Sequence, residues 1–186
     1  MKKEKTPPKW LQKARESWDN TGTKRPPFAI KPEKGQRSVW DFPRPPIIEK
    51  LDKPVLVKHA GKLIATTRNT LTVLETASPP TYYLPKSDIH MELLILMPQK
   101  TSLCEWKGAA LYWALKTMPD RPVAWSYPKP FQEFAALQDH LAFYPQQLEC
   151  YVDGQAVTAQ DSEFYAGWIT PDLTGPFKGE RGTEHW

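Results

Sequence analysis

Residues 55–68 read VLVKHAGKLIATTR, two apolar, β-branched runs that meet around Ala60-Gly61-Lys62. Glycine enters the left-handed turns that reverse a chain without a Cβ penalty, so this stretch predicts a β-hairpin. Outward from it the β pattern continues. Residues 71–76 (LTVLET) form a third apolar run, ended by Ser78-Pro79-Pro80. In residues 88–97 (DIHMELLILM), Ile89, Met91, Leu93, Ile95 and Met97 alternate with Asp88, His90 and Glu92. That alternation predicts a half-buried strand that becomes fully buried. Residues 106–117 (WKGAALYWALKT) fit a helix or a strand; Gly108 and the strands on both sides favour a strand. Short strands are expected at 123–127, between Pro122 and Pro128, and at 141–144, with one helical turn at 133–138. Residues 148–158 give two more strands, folding back at Asp153-Gly154. Many short strands with turn signals make the fold class mainly β, as one small antiparallel domain.

The chain has 186 residues, enough for one domain with appendages to bury a core without disulfide or metal staples. Its 20 prolines are roughly twice the average usage, which argues against a helical bundle because interior prolines break helices. No apolar run approaches the length of a membrane span or a signal-peptide core, so no membrane partner is expected. Cys104 and Cys150 stand alone with no paired spacing, as in a reducing cytoplasm.

The net charge of +4 is unevenly spread. Residues 1–37 carry 11 Lys/Arg and 4 Asp/Glu, and the remaining 149 residues carry 14 and 17. The basic charge therefore belongs to an N-terminal, proline-rich arm (1–37), not to the body. Nucleic-acid binding normally places clustered basic charge on the folded module itself, so no nucleic-acid partner is expected. Within the arm, Trp10, Ala14 and Trp18 recur at helical spacing with Leu11 beside them, which predicts a short amphipathic helix. The core is expected over 38–158, and 159–186 as an irregular extension pinned by Phe164, Trp168, Phe177 and Trp186.

A structural zinc site needs paired Cys/His ligands, and none are present, so no metal and no cofactor are expected. Asp88, His90 and Glu92 on one strand face form a weak candidate for a cation or general-base site, against the plain reading of a solvated face. Cys104 beside Lys107 is a candidate nucleophile. Lys107 next to Gly108 pairs a positive charge with a backbone that a ligand can approach closely. Phosphate-cradling glycine loops and the G-x-S-x-G elbow are absent.

The aromatic and proline clusters come in a recognisable order. WDFPRPP (40–46), Leu74-Glu75 with PPTYYLP (79–85) and Asp88, CEWKGAALYW (104–113), AWSYPKP (124–130) and AFYP (142–145) together resemble the bacterial family called domain of unknown function 427. The likeness covers roughly residues 38–158. The C-terminal run FYAGWIT…GPFKG…GT…W is similar to an extension of cyanobacterial-type members. The resemblance implies the β-tent class, small antiparallel domains related in shape to the Yippee and methionine-R-sulfoxide-reductase proteins. Many of those bind zinc through paired cysteines that this chain lacks, so metal does not carry over. The family pattern falls on Glu75, Tyr82, Tyr83, Asp88, Cys104, Trp106, Lys107, Gly108, Tyr112, Trp113, Trp125, Tyr127 and Pro128. A nucleotidyltransferase-like label would require paired carboxylates and a Gly-Ser loop, and neither is present.

The expectation drawn from these residues is a cytoplasmic domain binding a small polar or anionic ligand. The ligand-binding residues are Tyr82, Tyr83, Lys107, Tyr112, Trp113, Trp125 and Tyr127, with Glu75, Asp88 and Lys107 as polar anchors. One alternative is an enzyme using Glu75 or Asp88 as general acid/base with Cys104 or Lys107. Another is a scaffold that holds a protein partner through the arm and the aromatic loops. The oligomeric state is not legible.

Overall fold

The computed structural model describes residues 7–179, 181–183 and 185–186. One α-helix, α1 (Lys9–Glu16), precedes the strands β1 (Arg37–Ser38), β2 (Ile47–Leu51), β3 (Val55–His59), β4 (Lys62–Thr67), β5 (Thr70–Glu75) and β6 (Ser78–Pro85). After them come β7 (Leu94–Cys104), β8 (Gly108–Leu115), β9 (Met118–Ser126), β10 (His140–Phe143) and β11 (Glu149–Val152). The short strands β12 (Gln155–Ala156), β13 (Thr158–Ala159), β14 (Trp168–Ile169) and β15 (Leu173–Thr174) complete the chain.

The hairpin at 55–68 forms as read, with Ala60 and Gly61 both at positive φ in its turn. β3 and β4 join β11 and β12 in a four-stranded sheet, β12-β11-β3-β4. The main sheet has seven antiparallel strands in the order β2-β5-β6-β10-β9-β8-β7, with open edges at β2 and β7. The fold is mainly β and antiparallel, as the sequence indicates.

Side-chain alternation gives the large sheet two working faces. Leu84, Ala124, Leu141 and Phe143 pack with Val55, Val57 and Ile64 of the small sheet, making one core between the sheets. Val73, Tyr83, Tyr112, Trp125 and Ala142 belong to a second cluster, covered by Trp106, Phe134, Leu137 and Ala166. A third cluster joins the end of the arm to the extension. Trp40 is wholly buried there, its ring 5.1 Å from Phe28 and 5.3 Å from Trp186, and β1 pairs in parallel with β15.

Three local expectations are corrected. Residues 88–97 are not one strand: 86–88 and 91–93 are 3-10 turns, and β7 begins at Leu94. Local capture of the carboxylate explains this. Ser87 donates to Asp88 at 2.9 Å and Thr67 also donates to it, offering the segment an alternative to a ladder. Asp88, His90 and Glu92 consequently do not share a strand face. Second, the 71–76 run ends before Ser78 as read, with β5 closing at Glu75, but Pro79-Pro80 then lie inside the next strand, β6, where the β5–β6 register shifts between Val73 and Glu75 and missing N–H groups are tolerated. Third, α1 turns Leu11 inward and leaves Trp10 60% exposed, so the buried stripe is not the one through Trp10.

Candidate functional site

The second face of the large sheet carries a cross-strand row of directly opposed residues. Leu71 faces Tyr83, Tyr83 faces Ala142, Ala142 faces Trp125, Trp125 faces Tyr112, and Tyr112 faces Met97. Opposed residues share a face, so the row is a continuous floor. The small Ala142 at its centre leaves the flanking rings room: Tyr83 meets Trp125 edge to face at 6.3 Å. Above this floor lies a cavity of about 160 Å³.

Lys107 enters the cavity from the turn between β7 and β8. Cys104 pairs with Gly108 to close this hairpin, and Gly108 takes φ 100°, a region costly for a side chain. Phe131 donates its N–H to the Lys107 carbonyl at 3.2 Å and fixes the turn. The Lys107 side chain is buried (8% exposed), with Nζ 5.8 Å from the Phe134 ring. It makes no ion pair among the described residues. Burial opposes its charge, but Cys104 and Tyr83 in their ionised forms, followed by the carboxylates of Glu75 and Glu105, outweigh that and place its pKa above the ordinary lysine value. The group is an ammonium at every physiological pH.

Glu75 at the end of β5 also lines the cavity, and Arg44 neutralises it with Nε 3.2 Å from its carboxylate. The guanidinium, almost wholly enclosed, also donates to the carbonyls of Asn20 at 3.1 Å and Thr76 at 3.0 Å. Burial pushes the Tyr83 phenol up to about 12 and holds Tyr127 and Tyr144 above the usual tyrosine value. These hydroxyls are neutral hydrogen-bonding groups at pH 7. Ser102 and Tyr112 bond to each other at 2.8 Å. Among the described residues the buried Tyr83 hydroxyl and the indole N–H groups of Trp18 and Trp106 form no hydrogen bond, and all three atoms are packed away from solvent-accessible space. A buried donor without a partner costs about 1–3 kcal/mol.

Of the residues proposed from sequence, Glu75, Tyr83, Cys104, Lys107, Tyr112, Trp125 and Tyr127 line this cavity, whereas Tyr82, Asp88 and Trp113 do not. The cause for the two aromatics is the period of two. Tyr82 follows the opposite face to Tyr83 and stacks on Trp168 at 4.7 Å; Trp113, next to Tyr112, donates to Ser126 at 3.0 Å. Asp88 sits beyond the end of β6, bonded to Thr67 and Ser87. A single cleft holding all three proposed anchors does not form; Glu75 and Lys107 share one, and Asp88 is elsewhere. Among the described residues no group of three or more His, Cys, Asp or Glu is placed to hold a metal ion.

Other wall residues come from the appendages. Trp18 comes from the arm and Gln160, Phe164, Tyr165 and Lys178 from the extension. Arg15 of α1 fastens the arm beside the cavity: it donates to the carbonyl of Glu105 at 2.7 Å and pairs with Glu133 at 3.1 Å. Gln146 holds the extension, its side-chain amide reaching the carbonyls of Gln160, Ser162 and Tyr165 at 2.9, 3.2 and 2.9 Å. Gly167 allows close approach, since a Cβ there would stand 2.8 Å from the carbonyl oxygen of Pro79. Only the aromatic content of the arm and extension hinted at these contributions.

The family model described as Domain of unknown function (DUF427) matches residues 47–154, more than half of the chain. No curated protein matches the chain. The chain belongs to the DUF427 family, and the family segment supplies the cavity floor, Glu75 and Lys107.

Proposed function

We propose that this DUF427 protein binds a small polar or anionic ligand in the aromatic cavity, with Lys107 as its charge anchor. The observation that carries the reading is the Lys107 ammonium: buried, positively charged, and without an ion pair among the described residues. A buried charge is costly unless matched, and a ligand anion would match it. Glu75 does not compete for it directly, because Arg44 already holds that carboxylate. The unpaired, free cysteines support a reducing, cytoplasmic setting; among the described residues no helix is long and apolar enough to cross a membrane.

Native mass spectrometry of the purified full chain tests the reading. A small-molecule adduct on the wild type that disappears in Lys107→Met is the expected result. An adduct retained by the variant overturns it, as does a bare wild-type mass with no uptake of added benzoate, acetate or phosphate.

The Cys104 thiol lines the same cavity, which favours a second reading: an enzyme with Cys104 as nucleophile, Lys107 as anion holder and Glu75 as general acid/base. Asp88 does not line this cavity and takes no part. Under this reading iodoacetamide alkylates Cys104 much faster than Cys150, which is buried with its thiol pKa pushed up by desolvation. Equally slow alkylation of both overturns it.

A further inference from the structure

The construction of the cavity narrows its ligand, resting on the anion-binding reading above. Size comes first. An apolar cavity of about 150 Å³ takes up one benzene ring, and this one measures about 160 Å³. Charge comes second. Lys107 can balance one negative charge; Lys178, also in the wall, already donates to the Trp186 carbonyl at 2.9 Å, Arg44 holds Glu75, and Glu105 would repel a second negative charge. A phosphate dianion is normally cradled by several backbone N–H groups at a glycine-rich loop or helix start, and no such loop lines this cavity. The third feature is the shape of the wall. Tyr83 on β6, Trp125 on β9 and Tyr112 on β8 lie on one face of the sheet, and Tyr144 packs against Trp125 at 4.8 Å, so the wall offers aromatic surface to a planar ring. The Lys107 ammonium in the same wall then suits the oxygens of a carboxylate.

We infer that the cavity recognises a small monoanionic acid whose carboxylate is carried on a single planar ring, the size of benzoate. The carboxylate sits at Lys107 and the ring lies against Tyr83, Tyr112 and Trp125. Acetate has the charge without the ring, benzamide the ring without the charge, and inorganic phosphate a higher charge with no apolar body.

Isothermal titration of the full chain with sodium benzoate, sodium acetate, benzamide and inorganic phosphate, at one ionic strength, decides between them. Benzoate is expected to bind at least tenfold tighter than each of the other three, and Lys107→Met to weaken benzoate at least tenfold. Near-ultraviolet circular dichroism checks that the variant keeps its aromatic packing; should it not, the four-ligand comparison on the wild type stands alone. Acetate or phosphate binding as tightly as benzoate overturns the ring acid and leaves the anion-binding reading in place. Benzamide binding as tightly as benzoate overturns the role of the charge, and binding of none of the four overturns both readings.

Discussion

The Lys178 ammonium, in the C-terminal extension, lies 4.1 Å from the ring of Trp18 in the N-terminal arm. Arg44 places its guanidinium 4.3 Å from the same ring, so one indole stands against two cations. Neither Trp18 nor Lys178 falls within the 47–154 family segment, yet both line its cavity. The appendages are therefore parts of the site's wall. A buried cation over an indole contributes roughly 0.5–2 kcal/mol.

Trp18→Ala removes both contacts and part of the wall. The expected loss is about 2 kcal/mol of stability in urea unfolding, with Trp18→Phe losing less than half of that. Equal losses for the two variants would show that packing volume at this point is irrelevant.

Arg44 and Glu75 form a buried pair whose halves should differ from the whole. Arg44→Met leaves the Glu75 carboxylate uncompensated and should destabilise by about 3–5 kcal/mol. Adding Glu75→Gln to that variant should recover part of the loss, as read by a double-mutant cycle. Simple additivity of the two changes would mean that the ion pair carries no coupling.

Ala142→Leu tests the floor. The added methyl groups rise between the Tyr83 and Trp125 rings, costing about 1–3 kcal/mol through overpacking. Uptake of benzoate should fall at least tenfold in titration. Undiminished uptake would place the ligand away from this floor.

The fold should be sensitive to alkali. Tyr82 and Tyr83 are each pushed up to about 12, chiefly by burial, and Lys107 also sits above its ordinary value. In all three cases the folded protein holds the proton more tightly than the unfolded chain. Their contribution is complete below the unfolded values near pH 10 and is lost as pH climbs toward 12. Thermal unfolding should show no change from these groups between pH 6 and 9 and a marked fall in Tm between pH 10 and 12. A Tm constant to pH 12 would contradict the burial of these groups.

Gly167→Ala would set a Cβ 2.7 Å from Gln160 Oε1 and 2.8 Å from the Pro79 carbonyl oxygen, so the extension has to shift. An expected loss of roughly 1–3 kcal/mol, with faster proteolysis within 160–170, would report that shift. Unchanged stability would mean that the segment relaxes freely.

The sequence by itself determined what depends on neighbours along the chain. Alternation and turn residues marked the 55–68 hairpin, the β8 strand and the Asp153-Gly154 reversal, and the spaced motifs carried the family resemblance. Those motifs also contained Glu75, Tyr83, Lys107, Tyr112, Trp125 and Tyr127, six members of the cavity wall. Which of two adjacent aromatics faces the cavity was not legible. Tyr82 and Tyr83, like Tyr112 and Trp113, are equivalent until strand pairing assigns each a face of the sheet. Asp88 read as a strand residue because apolar positions alternate there, but Thr67, brought close only by the fold, captured its carboxylate. The tertiary structure alone decided that Trp18 and Lys178, 160 residues apart in sequence, meet at one wall. Contacts at that separation leave no local periodicity, because they arise from the packing of whole sheets rather than from the preferences of neighbouring residues.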